Sequence, residues 1–325
     1  MGMTNFPNGI SSMGVPLLGG GGIPATPGKV LFVDYGNGND GVSVKTNSTK
    51  RPFKTIAKAY DVATTNKDDV IALIGNAEHT LTEMLTVAKN RLHFIGLDGA
   101  SRMYGQNAKI DLGITGVAAN LGTVLNTGVR NSFHNIKFRN LDTVTQGLYA
   151  FLEGGEYLYM TNCEIYKETM LTNTAAAEMV MNGDSAQIIN CTIGSLHNPL
   201  TTDDIRPNVL MTKGIAGAGL VARDVSFINC NFWKKAGHIN NRFVYGANAT
   251  DIERMLFFEN CKFISQKLSV AAPDQCVSFA AEQTQGCVLL KDCVSIGNTK
   301  LSTTTGVYIV GAVPTYATSG IAVAS

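Results

Sequence analysis

From about residue 130 onward, one short string of apolar and polar positions returns again and again. Leu158-Tyr-Met-Thr-Asn-Cys-Glu-Ile165, Ala186-Gln-Ile-Ile-Asn-Cys-Thr-Ile193, Val225-Ser-Phe-Ile-Asn-Cys-Asn-Phe232 and Leu256-Phe-Phe-Glu-Asn-Cys-Lys-Phe263 carry it in full. Val288-Leu-Leu-Lys-Asp-Cys-Val-Ser295 is a weaker copy, and Ser132-Phe-His-Asn-Ile-Lys-Phe138 an earlier one with Ile136 in the Cys position. The steps between copies are 27, 28, 39, 31 and 32 residues, the size of one solenoid coil with loops of varying length. Within each copy, Cys in, next residue out, Ile or Phe in is the period-2 pattern of a strand with one buried face.

A second series precedes the first in each coil: Phe151-Leu-Glu-Gly154, Met179 to Gly183, Val209 to Gly214, Phe243-Val-Tyr-Gly246 and Val277-Ser-Phe-Ala280, with Val307 to Gly311 as its last member. Each coil therefore offers at least two strands separated by Gly turns, and the predicted fold is an all-β, right-handed parallel β-helix. Stacking at about 4.8 Å turns equivalent positions into ladders. Cys163, Cys191, Cys230, Cys261 and Cys293 become an internal thiol column. Asn135, Asn162, Asn190, Asn229 and Asn260 become a column at a bend, where a short amide tolerates unusual dihedrals.

A solenoid needs covered ends. Val30 to Asp34 predicts a strand and Arg51 to Val62 a helix across the first coil; Asp69 to Gly75 and Arg91 to Gly96 predict the next strands. The expected division is a Gly/Pro-rich docking arm at 1–28, an N-terminal cap at 29–88, the β-helix at 89–300 and a C-terminal strand and tail at 301–325. The arm carries Phe6, Ile10, Met13, Val15, Leu17, Leu18 and Ile23, more apolar residues than a solvated linker needs, so these are its candidate partner-binding residues.

Charged residues make up 16% of the chain and balance to a net +1, with no basic run to neutralise phosphates, which argues against nucleic acid. Neither a signal peptide nor a membrane-spanning stretch is legible, so synthesis in the cytoplasm and no membrane partner are expected. The seven cysteines lack C-x-x-C spacing and the five histidines lack metal-ligand pairing; no metal, cofactor or catalytic residue is assigned. Glu153, Glu156, Glu164, Asp203, Asp204, Asp224, Asp251, Glu253 and Glu259 are the carboxylates expected on outward positions or loops, Asp203 and Asp204 forming the best cluster. Trp233, beside Lys234 and Lys235, is either a sugar platform or a subunit contact. His93 and His134 fall within strand motifs and read as surface or hydrogen-bonded residues. No nucleophile, base and orienting acid can be assembled from the sequence.

The order FVDYGNGNDG, RPFKTIAKAYDVA, DDVIALIG, NRLHFIGL resembles the opening of the pectin-lyase-like β-helix superfamily over residues 30 to about 300. The first residues, MTNFPNGISSMGVPLLGGGG, and the last, YATSGIAVAS, resemble a group of tailed-bacteriophage virion proteins. That resemblance implies a non-enzymatic homotrimeric capsid decoration or head-fibre protein in the virion, held through residues 1–28 to the major capsid protein or another virion protein. The alternative is a tail spike or fibre that binds or cleaves a host glycan. A cellular polysaccharide lyase is disfavoured for want of a secretion signal.

Overall fold

The computed structural model describes residues 10–12, 15–18, 26–75, 77–97, 108–113, 122–141, 147–168, 176–200, 204–213, 221–266 and 272–311. Among these residues the chain winds into three parallel sheets, of ten, eight and seven strands. The long sheet runs from Val30–Val33 through Asp69–Leu73, Leu92–Gly96, Ser132–His134 and Tyr159–Thr161 to Val307–Val310. Each full coil adds one strand to each sheet, as Tyr149–Glu153, Tyr159–Thr161 and Glu164–Lys167 do in turn.

The repeated string is therefore two strands and a corner rather than one strand. Asn162 turns the chain between Tyr159–Thr161 and Glu164–Lys167 at φ 53°, and Asn135, Asn190, Asn229, Asn260 and Asp292 do the same at φ 57°, 53°, 55°, 53° and 52°. Asn and Asp adopt the left-handed region at less cost than other side chains that carry a Cβ. Each corner N–H then donates to the next coil, as from Asn190 to the Ile228 carbonyl at 2.9 Å.

Val307–Val310 pairs with Gln285–Lys291 in the long sheet, so it closes that sheet and is not the final member of the Gly-terminated series. The other strands of that series form the seven-stranded sheet. The helix is shorter than the sequence pattern, Ile56–Val62, because Thr55 caps it by accepting from the Lys58 N–H. Its Ile56 and Ala59 bury into the first coils.

The core is a single continuous interior of inward side chains from all three sheets. Phenylalanines stack along the axis: Phe94 on Phe133 at 5.0 Å, Phe227 on Phe258 at 5.1 Å and Phe232 on Phe263 at 4.8 Å between ring centres. The Cys column lies inside, its members free thiols. The Cys230 and Cys261 thiols donate to the Ile188 and Phe227 carbonyls at 3.3 Å, and burial pushes both well up, away from the reactive thiolate.

The leader strands Ile10–Ser12 and Val15–Leu18 pair antiparallel with each other, so this stretch folds back on itself. Phe6, Met13 and Ile23 lie outside the described residues. Among the described residues, no helix is long and apolar enough to cross a membrane.

Candidate functional site

The solenoid has a second left-handed corner, at the start of the long sheet, and its composition differs sharply from the Asn column. Its residues are Asp68, Arg91, Arg130, Tyr157, Ser185, Asp224 and Arg254, at φ 48° to 69°. The N–H groups of Arg91, Arg130, Tyr157 and Ser185 bond from coil to coil as in the Asn column, Arg130 to the Glu156 carbonyl and Tyr157 to the Asp184 carbonyl at 2.8 Å. Arg and Tyr in this region cost of order 1–3 kcal/mol each. Side chains that are expensive for the backbone thus gather along one corner, where the other corner uses Asn.

On the outer face of the adjoining sheet, His93, Ser132 and Tyr159 occupy equivalent positions on successive coils. His134 lies two residues beyond Ser132 on the same face. With Asp68, Arg130 and Tyr157 from the corner, they line a cleft of about 490 Å³. Tyr157 and Tyr159 are 50% and 40% exposed; Arg130 lies over the Tyr157 ring, 5.5 Å from its centre, and His134 packs against Tyr159.

Polar contacts run through the floor in one line. The Arg91 guanidinium grips both Asp68 oxygens, its Nε at 2.9 Å from Oδ1. Asp68 Oδ1 lies 3.4 Å from His93 Nε2, His93 Nδ1 lies 2.7 Å from Ser132 Oγ, and His134 Nε2 lies 2.9 Å from that same Oγ. Burial by itself would raise the Asp68 carboxyl; Arg91 and His93 overcome it and hold the group below its usual value. Burial, with the neighbouring His93, lowers His134 to about 4, so His134 is neutral at pH 7.

Beneath the cleft, a buried chain of amides and a carboxyl ties the coils together. Asn131 accepts from the Leu92 N–H at 2.9 Å and donates to Asn126 Oδ1 at 2.8 Å. Asn126 in turn donates to both Glu153 oxygens, at 3.1 and 2.9 Å. Glu153 Oε1 accepts the Gly155 N–H at 2.9 Å, two residues before Tyr157.

Most of the carboxylates expected on outward positions or loops lie there, Glu156 exposed among them, and two do not. Glu153 and Asp251 are fully buried. Glu164 pairs with Lys137 at 3.0 Å and Glu259 with Lys291 at 2.5 Å. Glu253 meets Arg223, while Asp224 meets Arg254 at 2.8 Å, in a network shared with Asp184. Asp204 pairs with Arg206 at 2.9 Å, and Asp203 lies outside the described residues. Trp233 is half-buried in the strand Asn231–Ala236, and Lys234 is buried rather than on the surface beside it. Among the described residues, no group of three or more His, Cys, Asp or Glu is placed to hold a metal ion.

Three parallel sheets wound coil by coil define the architecture, and known structures share that fold. A pectin methylesterase from Aspergillus niger superposes with a TM-score of 0.52 at 16% identity, over 93% of this chain and 90% of that one. A rhamnogalacturonan lyase gives 0.55 at 12% identity, over 82% and 68%, and a pectate lyase 0.50 at 14%, over 91% and 81%. The fold is the pectin-lyase-like parallel β-helix. No protein-family model and no curated protein sequence matches the chain.

These likenesses overturn the expectation of a non-enzymatic protein, since the named structures that share the fold are all polysaccharide-processing enzymes. The structure sets Ser132, His93 and Asp68 in hydrogen-bonded order, a juxtaposition that sequence reading did not assemble. The signal was present in the sequence. Aligning the inward Phe94 with Phe133 sets His93 opposite Ser132.

Proposed function

We propose that this protein is a spike or fibre of a bacteriophage virion whose outer-face cleft takes a host surface polysaccharide. The observation that carries this reading is the pair of exposed rings, Tyr157 and Tyr159, beside Arg130, His93 and His134 in one cleft. Sugars present apolar C–H faces and hydroxyl rims, and an aromatic ring next to polar donors matches both. The polysaccharide chemistry named for the three fold relatives lends further support.

Binding to an array of bacterial surface polysaccharides is expected to weaken about tenfold in Tyr159→Ala and in Tyr157→Asn, a loss of roughly 1.4 kcal/mol each. Asn suits the left-handed corner, so Tyr157→Asn should keep or slightly raise the unfolding midpoint while losing affinity. Fluorescence titration and urea unfolding of the same samples read both quantities. If no polysaccharide binds the parent, or if both variants bind like the parent, the cleft is not the glycan site.

The virion attachment is assigned to residues 1–28, on their apolar content and on the phage-like resemblance of both ends, with the β-helix as a homotrimer. Deleting residues 1–25, which spares Thr26 and Pro27 in the lining of the cleft, is expected to abolish incorporation into the particle while leaving a trimer that sediments as before and still binds glycan. Particles that retain the truncated protein would assign attachment elsewhere.

A further inference from the structure

We propose that the cleft also performs an ester hydrolysis, with Ser132 as nucleophile, His93 as general base and Asp68 as the group that positions His93, acting on O-acyl groups carried by the bound polysaccharide. This rests on the cleft being the glycan site. It names the chemistry done there.

Ser132 Oγ lies 2.7 Å from His93 Nδ1, and the opposite ring nitrogen faces Asp68 at 3.4 Å. A nucleophile, a base and a carboxylate in hydrogen-bonded order make up the acyl-transfer constellation, which is recognised by geometry and role rather than by order in the chain. With Asp68 on Nε2, His93 carries its proton there and offers the Nδ1 lone pair to the Ser132 hydroxyl. Asp68 is itself fixed by Arg91, and the Thr26 hydroxyl donates to its backbone carbonyl.

A second group completes the site. His134 Nε2 sits 2.9 Å from Ser132 Oγ, and as a neutral imidazole protonated on Nε2 it donates its N–H there. When Oγ bonds to an acyl carbon, that N–H is the nearest side-chain donor to the carbonyl oxygen as it gains charge. Among the described residues that line the cleft, Asp68 is the one carboxylate, whereas glycosidic cleavage uses a pair about 5–9.5 Å apart. An acyl group on a sugar hydroxyl fits the chemistry, because the sugar ring can lie on Tyr157 or Tyr159 with its substituent over Ser132.

The steps balance without an external oxidant or reductant. Ser132 Oγ attacks the ester carbonyl as its proton passes to His93 Nδ1. The tetrahedral adduct expels the sugar oxygen, which takes that proton and leaves as the free hydroxyl, with the acyl group on Ser132. Water, deprotonated by His93, then attacks the acyl-serine. The carboxylic acid departs and Ser132 regains its hydrogen.

Three measurements test this: hydrolysis of p-nitrophenyl acetate, acetate release from O-acetylated bacterial polysaccharide, and covalent labelling by a fluorophosphonate. The parent is expected to turn over p-nitrophenyl acetate and to be labelled on Ser132. Ser132→Ala and His93→Ala should lose about 10³-fold or more in kcat, and Asp68→Asn between about 10²- and 10⁴-fold, with unchanged unfolding midpoints. His134→Gln should lose kcat rather than raise KM. Turnover that survives Ser132→Ala overturns the proposal. A folded parent that binds glycan but neither hydrolyses nor is labelled overturns it and leaves the binding reading standing. Labelling and turnover without glycan binding would sustain the Ser132 chemistry and sink the polysaccharide reading.

Discussion

Lys234→Met is expected to lower the free energy of unfolding by about 3–5 kcal/mol, measured by urea denaturation at pH 7. Lys234 is 2% exposed, and its ammonium donates to the Arg206 carbonyl at 2.6 Å. It faces Glu178, itself buried, whose carboxylate accepts the backbone N–H of Lys167. Burial pushes the Glu178 carboxyl up and the Lys234 amine down, and their mutual attraction opposes both shifts. Removing the lysine strands a buried carboxylate and leaves the Arg206 carbonyl without that donor. Glu178→Gln combined with Lys234→Met should cost clearly less than the two single losses added, because the stranded charge is gone. Additive losses would mean that the two residues act independently.

How much of this was legible in the sequence follows from what each residue has to satisfy. The Asn-Cys string revealed the coil because both of its demands are local: Asn for a left-handed corner and Cys for a narrow interior beside it. Three strands per coil were less visible. The strands are short, and those on either side of the Asn corner run together into one apolar string with a single polar interruption. Glu153 and Asp251 were misjudged for a related reason. Glu153 continues an apolar strand whose every residue is buried, and only Asn126, distant in sequence, explains why a carboxyl belongs there.

The candidate site was hidden more deeply, because it depends on register. His93 and Ser132 carry no motif in their own segments, and they meet only once the two coils are stacked in phase. Arg130 and Tyr157 sit at positions where the backbone would favour Asn or Gly. Strained bulky corners of this kind are a signal of function rather than folding, but it becomes readable only when the dihedrals are known.

The pH dependence of stability is expected to carry the mark of Glu153. Burial raises its carboxyl to about 8, although hydrogen bonds from Asn126 and Gly155 pull the other way. The native state therefore keeps a proton that the unfolded chain, with an ordinary carboxyl near 4.5, has released. That stabilisation is complete below the unfolded value and is lost as pH rises toward 8, on the order of a few kcal/mol over the whole span. His134 acts with the opposite sign at low pH. Held at about 4, it makes stability fall as pH drops below its ordinary value of 6.5; Glu178 and Lys234, both shifted to about 7, also titrate above it, so the difference between parent and a Glu153 variant isolates Glu153. Glu153→Gln cannot titrate, and its amide NH₂ would confront the Asn126 NH₂, whose orientation is fixed because Asn126 Oδ1 already accepts from Asn131. The variant should therefore be less stable than the parent at pH 5 and close that gap by pH 8.5, with a flatter profile throughout. Urea midpoints at pH 5, 7 and 8.5 decide it: parallel profiles for parent and variant would mean that Glu153 does not change charge in this range. The buried chain beneath Tyr157 would then be held by an ionised carboxylate rather than by a protonated one.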